Sequence, residues 1–234
     1  MKIEQLIAAS SVILVVLCAS LSSQAQGTFQ NLNFEQANPI SVSDPADPYL
    51  VTVASALPFW SVYYGNFQQT EMIYNGVSTG VTAVTLVGSG DQYVAPIDGN
   101  YSVLIQGIVP GSTASISQTG LVPPGTQSLL FEATDPLTAV QGPLEEHLGT
   151  QTIPFFAVGT GPNYTLYGAN ISAWAGQTEE LTFLAPGGTY NNWEIDDITF
   201  SPNPVPEPST LALMLTAVGA YGVRRWRTKD SNET

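Results

Sequence analysis

The stretch WEIDDITF, residues 193–200, carries the reading of the fold. Strict alternation along a strand places Trp193 and Ile195 on one face and Ile198 and Phe200 on the other. Keeping all four in one core requires a one-residue slip at Asp196 and Asp197, and a β-bulge supplies it. The segment is therefore expected to be the closing strand of a β protein. Its kink falls at two adjacent carboxylates and turns their oxygens toward one point.

The chain upstream has the same character. Residues 26–202 are rich in Gly, Pro, Ser, Thr and Asn, with β-branched and aromatic residues in short runs and almost no helical periodicity. Strands are expected at 28–35, 59–64, 81–87, 101–109, 114–118, 127–133, 153–158, 164–167, 181–184 and 193–200. Turn chemistry separates them, as at Asn75-Gly76, Asp98-Gly99-Asn100 and Pro123-Pro124-Gly125. The chain has 234 residues and 44% hydrophobic content, enough for one sizeable core. Many short strands at this spacing predict an all-β, antiparallel two-sheet jelly-roll sandwich.

Charge narrows the function. The five basic residues are Lys2, Arg224, Arg225, Arg227 and Lys229, so 3–223 contains no Lys or Arg, and the formal net charge is −14. Such a body has nothing to neutralise phosphates, which argues against nucleic-acid partners. Divalent cations are its natural counter-ions.

Catalytic signals are sparse. The lone cysteine, Cys18, lies in an apolar N-terminal run, and the lone histidine, His147, follows Glu145 and Glu146 in a segment read as a solvated loop. Glu145 and Glu146 point to opposite faces if extended, as do Glu179 and Glu180, so neither pair makes a ready two-carboxylate site. No catalytic residue is assigned. Sugar recognition needs exposed rings beside polar groups, and Tyr63, Tyr64 and Trp174 are the candidates. Trp60, Val62 and Tyr64 share a face as an alternative core stripe.

The opening Asn31-Leu-Asn-Phe-Glu35 and the closing aromatic-x-Ile-Asp-Asp-Ile resemble the end strands of galactose-binding-like jelly rolls, the fold of many carbohydrate-binding modules. The resemblance implies a structural calcium where the terminal strands meet. Its side-chain ligands would be Glu35 and one of Asp196 or Asp197. The alternative is that these acids only cap strand ends or accept backbone hydrogen bonds.

Both termini read as addresses. Lys2, the apolar run 6–21 and Ser23-Gln24-Ala25 form an export signal over 1–25 that signal peptidase removes. At the other end, a proline-rich linker (203–209) leads into an apolar run (210–223), expected as a single transmembrane helix, and a basic cytoplasmic tail (224–234). The run is shorter than the roughly twenty residues that usually span a bilayer. Arg224, Arg225, Arg227 and Lys229 flank it on the cytoplasmic side. Val205, Pro206, Glu207, Pro208 and Ser209, followed by that helix and basic cluster, closely resemble the PEP-CTERM sorting signal of Gram-negative bacteria. This resemblance implies sorting by an exosortase, a membrane cysteine protease, in a cell that makes exopolysaccharide. The expectation is an exported, non-catalytic cell-surface or exopolysaccharide-matrix protein. A carbohydrate-binding module and a glycoside hydrolase or lyase are the alternatives.

Overall fold

The computed structural model describes residues 27–205, apart from 43–46, 79, 138–141 and 189–190. The expected signal peptide and Cys18, the motif residues Pro206, Glu207, Pro208 and Ser209, the expected helix 210–223 and the basic residues Arg224, Arg225, Arg227 and Lys229 lie outside the described residues. Among the described residues no helix is long and apolar enough to cross a membrane.

The strands are β1 (Leu50–Thr52), β2 (Ser61–Tyr64), β3 (Phe67–Gln69), β4 (Glu71–Tyr74), β5 (Ala83–Gly88), β6 (Tyr101–Gly107) and β7 (Ala114–Leu121). They continue with β8 (Ser128–Thr134), β9 (Glu145–Leu148), β10 (Gln151–Ile153), β11 (Phe155–Thr160), β12 (Thr165–Asn170), β13 (Thr178–Ala185) and β14 (Asn191–Ser201). A single helical turn, α1 (Val53–Ala56), follows β1, and a 3₁₀ turn (Ser172–Trp174) precedes β13. One sheet has the order β1-β4-β5-β6-β14-β8-β12-β11 and the other β10-β9-β13-β7-β2-β3. The all-β, two-sheet sandwich read from the sequence is present. Among the described strands the pairing is antiparallel except between β4 and β5, which run parallel with Ile73 opposite Thr85, and outside them Thr28 makes an isolated parallel bridge to Leu121.

From β6 to β9 the chain alternates between sheets, the hairpins β9-β10 and β11-β12 then stay within one sheet each, and on the return β13 inserts between β7 and β9 and β14 between β6 and β8. The inward positions fill one core that joins both layers. Phe131 on β8 meets Phe183 of the opposite sheet edge-on, with centroids 5.0 Å apart, and stacks on Tyr167 at 5.5 Å. Each fully buried ring of this kind contributes about 1.5–3 kcal/mol of transfer free energy. Trp60, just before β2, and Val62 within it are buried in the core, and Tyr64 packs against the same core.

The bulge expected on the closing strand is there. The register of β14 against β8 shifts between Asp196 and Thr199, and Asp197 takes a left-handed φ of 45°. As a result Trp193, Ile195 and Ile198 are all buried, and Phe200 stacks on Phe29 at 4.8 Å.

Two expectations need correction. Residues 28–35 do not form a strand. Asn31 (φ 51°) and Phe34 (φ 56°) turn the chain, so that Phe34 enters the core and the Asn31 carbonyl accepts a hydrogen bond from Trp60 Nε1 at 3.0 Å. Residues 145–148, read as a loop, are strand β9, paired with both β10 and β13. Alternation holds there, with Glu145 half-exposed on the outer face and Glu146 at 0% exposure in the core.

Candidate functional site

The outer face of the six-stranded sheet is largely polar because alternate residues of its strands are mostly Ser, Thr, Gln, Glu, His or Tyr. Pairing aligns these residues into rows: Ser61, Ser117, Thr182, His147 and Thr152 occupy successive opposed positions across five strands. Beside that row lies a groove of about 320 Å³ lined by Tyr63, Asn66, Ser115, Ser117, Glu180 and Thr182. Glu180 accepts a hydrogen bond from Ser117 Oγ at 2.7 Å. At the far side of the face His147 Nε2 sits 3.1 Å from Glu145 Oε2, and its Nδ1 lies 3.4 Å from Thr152 Oγ1. The arrangement offers one aromatic face, a carboxylate and several hydroxyls, the mixture that binds a polyhydroxylated ligand.

Of the three aromatic residues expected to meet sugar, only Tyr63 lines this groove. Tyr64 turns inward, where its hydroxyl accepts a hydrogen bond from the Val84 amide at 3.1 Å and burial raises its pKa. Trp174 sits in the 3₁₀ turn and packs against the core. Ser117, Thr182 and Asn66 were not singled out from the sequence, and Glu180 figures there only as half of a pair that makes no ready two-carboxylate site. The period-two runs Ser115/Ser117/Thr119 and Thr178/Glu180/Thr182 were the legible signal.

A second polar centre forms around the bulge. Asp196 is buried, and its carboxylate accepts hydrogen bonds from the amides of Asp98 at 3.2 Å and Asp197 at 2.8 Å. Burial outweighs those bonds and lifts its pKa to about 8, with the charges of Asp197 and Glu132 adding to the rise. Burial also raises Asp197, and Asp98 and Glu35 push it further. Glu132 is raised by burial and by Asp197 and Asp98, against a lowering hydrogen bond from Tyr164. Its Oε2 is buried without a partner. Glu35 closes the 98–101 turn, with Oε1 accepting from the amides of Asn100 (2.6 Å) and Tyr101 (2.9 Å) and Oε2 from Asn100 Nδ2 (2.8 Å). Burial acts to raise Glu35, but these bonds hold it below the ordinary range.

The fold thus gathers Glu35, Asp196 and Asp197, together with Asp98 and Glu132, into one crowded acidic neighbourhood. The orphaned oxygen of Glu132 and the mutual repulsion of the group suit a hard cation. Glu35, however, is occupied as a turn cap, and among the described residues no three His, Cys, Asp or Glu side chains are arranged to hold a metal ion.

The remaining described motif residue, Val205, does not hang free. It is 8% exposed, its Cγ1 lies over Gly168 between Leu130 and Val158, and Ser128 Oγ donates to the Asn203 carbonyl at 2.7 Å. The folded unit therefore extends three residues past the expected boundary at 202.

No family model matches the chain, and no curated protein matches it. Among solved structures it is similar to the enzymatically active domain of tailspike protein 4 of bacteriophage CBA120, with TM-score 0.35 and 15% identity over 60% of this chain. The match spans only 19% of that tailspike chain. It is also similar to the family 11 carbohydrate-binding module of the cellulosomal cellulase Lic26A-Cel5E of Clostridium thermocellum, with TM-score 0.33, 10% identity and coverage of 69% of this chain and 93% of that one. A family 11 module from Clostridium thermocellum in complex with a β-1,3-1,4-mixed-linked tetrasaccharide gives TM-score 0.31, 10% identity and coverage of 64% and 92%. Likeness at this level carries no argument about ligand or activity.

Proposed function

We propose that this chain is an exported, non-catalytic cell-surface or exopolysaccharide-matrix protein with a jelly-roll body. Signal peptidase and then an exosortase would process it, the latter through the segment that starts at Val205. The strand order, with β14 between β6 and β8 and β13 between β7 and β9, supports the jelly-roll reading. The observation that carries the functional reading is the charge distribution. Every basic residue lies at a terminus that processing would remove, leaving a mature acidic body suited to cross-linking by divalent ions. Intact-mass measurement of the protein recovered from the surface of its native cell tests this. Loss of both terminal segments supports the reading, and retention of residues 206–234 overturns exosortase processing.

A second reading, a carbohydrate-binding module, is favoured by the hydroxyl-lined groove at Tyr63. With no Lys or Arg in the body, that groove suits neutral glycans. Affinity electrophoresis of the full chain through neutral polysaccharide gels tests it, with retardation lost in Tyr63→Ala. Calcium is proposed as a structural ion near the bulge, with Glu35 and one of Asp196 or Asp197 as side-chain ligands and backbone carbonyls completing the shell, so that Glu35 would exchange its turn-capping bonds for the ion. Bound there, it would neutralise the crowded carboxylates.

A further inference from the structure

A second cleft lies away from the groove, where β1 and β4 meet the connection between β5 and β6. It has a volume of about 230 Å³ and is lined by Asp47, Tyr49, Ile73, Gly76, Val77 and Tyr93. Tyr49 and Tyr93 are among the most exposed large apolar side chains of the described residues, at 51% and 71%. Exposure of one tyrosine is ordinary, but two on one apolar-floored cleft are not accounted for by core packing.

Both rings are presented by the same local device. Asp47-Pro48-Tyr49 and Asp91-Gln92-Tyr93 are each Asp-x-Tyr turns in which the tyrosine amide donates to the aspartate Oδ1, at 3.0 Å and 2.7 Å. Each turn is pinned beneath. The Tyr49 carbonyl accepts from the Tyr74 amide at 2.9 Å, while Val94, next to Tyr93, is buried in a small cluster with Val87 and Leu104. Among the described residues neither tyrosine stacks on another ring, and both remain more than half exposed. Gly76 lines the cleft beside Tyr49, and its missing side chain leaves room there, because a Cβ would sit 3.2 Å from Ile73 Cγ2 and 3.6 Å from the Tyr49 ring.

We propose that this cleft is a binding site for a single pyranose ring of a neutral or amine-bearing glycan. The rings supply flat faces for sugar C–H groups, and Asp47 supplies an acceptor for a hydroxyl or an ammonium. The volume lies below the roughly 300–1,000 Å³ of sites that take larger ligands, which suits one ring and not a chain. A body without Lys or Arg has no charge partner for an acidic sugar. The site is independent of the groove at Tyr63 and of the sorting tail.

Saturation-transfer NMR on the full chain in a sugar-free detergent tests this, with methyl β-glucopyranoside, methyl β-galactopyranoside and glucosamine as probes and phenol as the control. At least one pyranoside should receive transfer at its ring C–H protons. Its affinity should fall roughly tenfold in Tyr93→Ala and in Tyr49→Ala, and in Gly76→Leu, which fills the cleft without removing a ring. Tyr93→Phe should retain binding, and circular dichroism should be unchanged throughout. No transfer to any pyranoside, transfer to phenol alone, or transfer that survives Tyr93→Ala and Gly76→Leu overturns the proposal. Transfer lost only in Tyr63→Ala places the sugar in the groove, overturning the cleft site while leaving the carbohydrate-binding reading standing.

Discussion

The two outer faces of the sandwich carry the same chemical pair in opposite surroundings. On the eight-stranded sheet Glu194 of β14 accepts a hydrogen bond from Ser102 of β6, and on the six-stranded sheet Glu180 of β13 accepts one from Ser117 of β7. In both, the partners sit diagonally across neighbouring antiparallel strands. Glu194 is 1% exposed, whereas Glu180 is open to solvent. The connection between β5 and β6 lays Val94 against Val87 and Leu104 and roofs the first face, so burial lifts Glu194 to about 7 despite its bond to Ser102. Polar alternation is therefore a statement about which face a residue points to, and the roof determines whether that face meets water. One face becomes an internal polar layer and the other a solvent-exposed polar surface.

The contrast can be broken experimentally. The largest change concerns the acidic neighbourhood at the edge of the roofed face. If calcium neutralises it, a hundredfold excess over Kd stabilises by about 2.7 kcal/mol. That corresponds to a Tm several degrees higher in calcium than in EDTA. Asp197→Ala should abolish the difference, and an unchanged Tm in EDTA removes the ion from the account.

Next in size is the pair of serines. Ser102→Ala strands a buried carboxylate and should cost about 2 kcal/mol in urea unfolding, whereas Ser117→Ala should stay within about 0.5 kcal/mol. Equal effects would mean that the roof does not exclude water.

The neighbours Glu145 and Glu146 repeat the contrast within one strand. Burial alone raises Glu146 from its ordinary 4.5 to about 8, and both its oxygens lack partners. The folded protein thus holds a proton that the unfolded chain releases near pH 4.5. The stability associated with this group is complete below that pH and is lost as pH rises toward 8. Glu146→Leu should flatten this decline and stabilise the protein at pH 9 by roughly 1 kcal/mol or more. The smallest effect on stability belongs to Tyr63→Ala, which should keep Tm within a degree or two yet remove retardation by neutral polysaccharide.

Much of this architecture was legible in local pattern. The clash of faces between Trp193/Ile195 and Ile198/Phe200 located the bulge, and Trp60, Val62 and Tyr64 lie where alternation placed a core stripe. Residues 28–35 misled because Asn31 and Phe34 alternate like strand residues. Their left-handed backbone is imposed by contacts with Trp60 and Pro58, far along the chain. Glu145-Glu146-His147 misled in the other direction. Its polarity reads as a loop, yet pairing with β10 and β13 on both sides makes it a strand and forces Glu146 inward.

Composition, alternation and turn residues were enough for an acidic two-sheet β protein and its closing bulge, because those properties depend on neighbours within a few residues. The groove beside Tyr63, the roof over Glu194, the crowding around Asp196 and the cleft between Tyr49 and Tyr93 each join segments dozens of residues apart. Their chemistry depends on burial and proximity, and these come into being only when the two sheets close on one another.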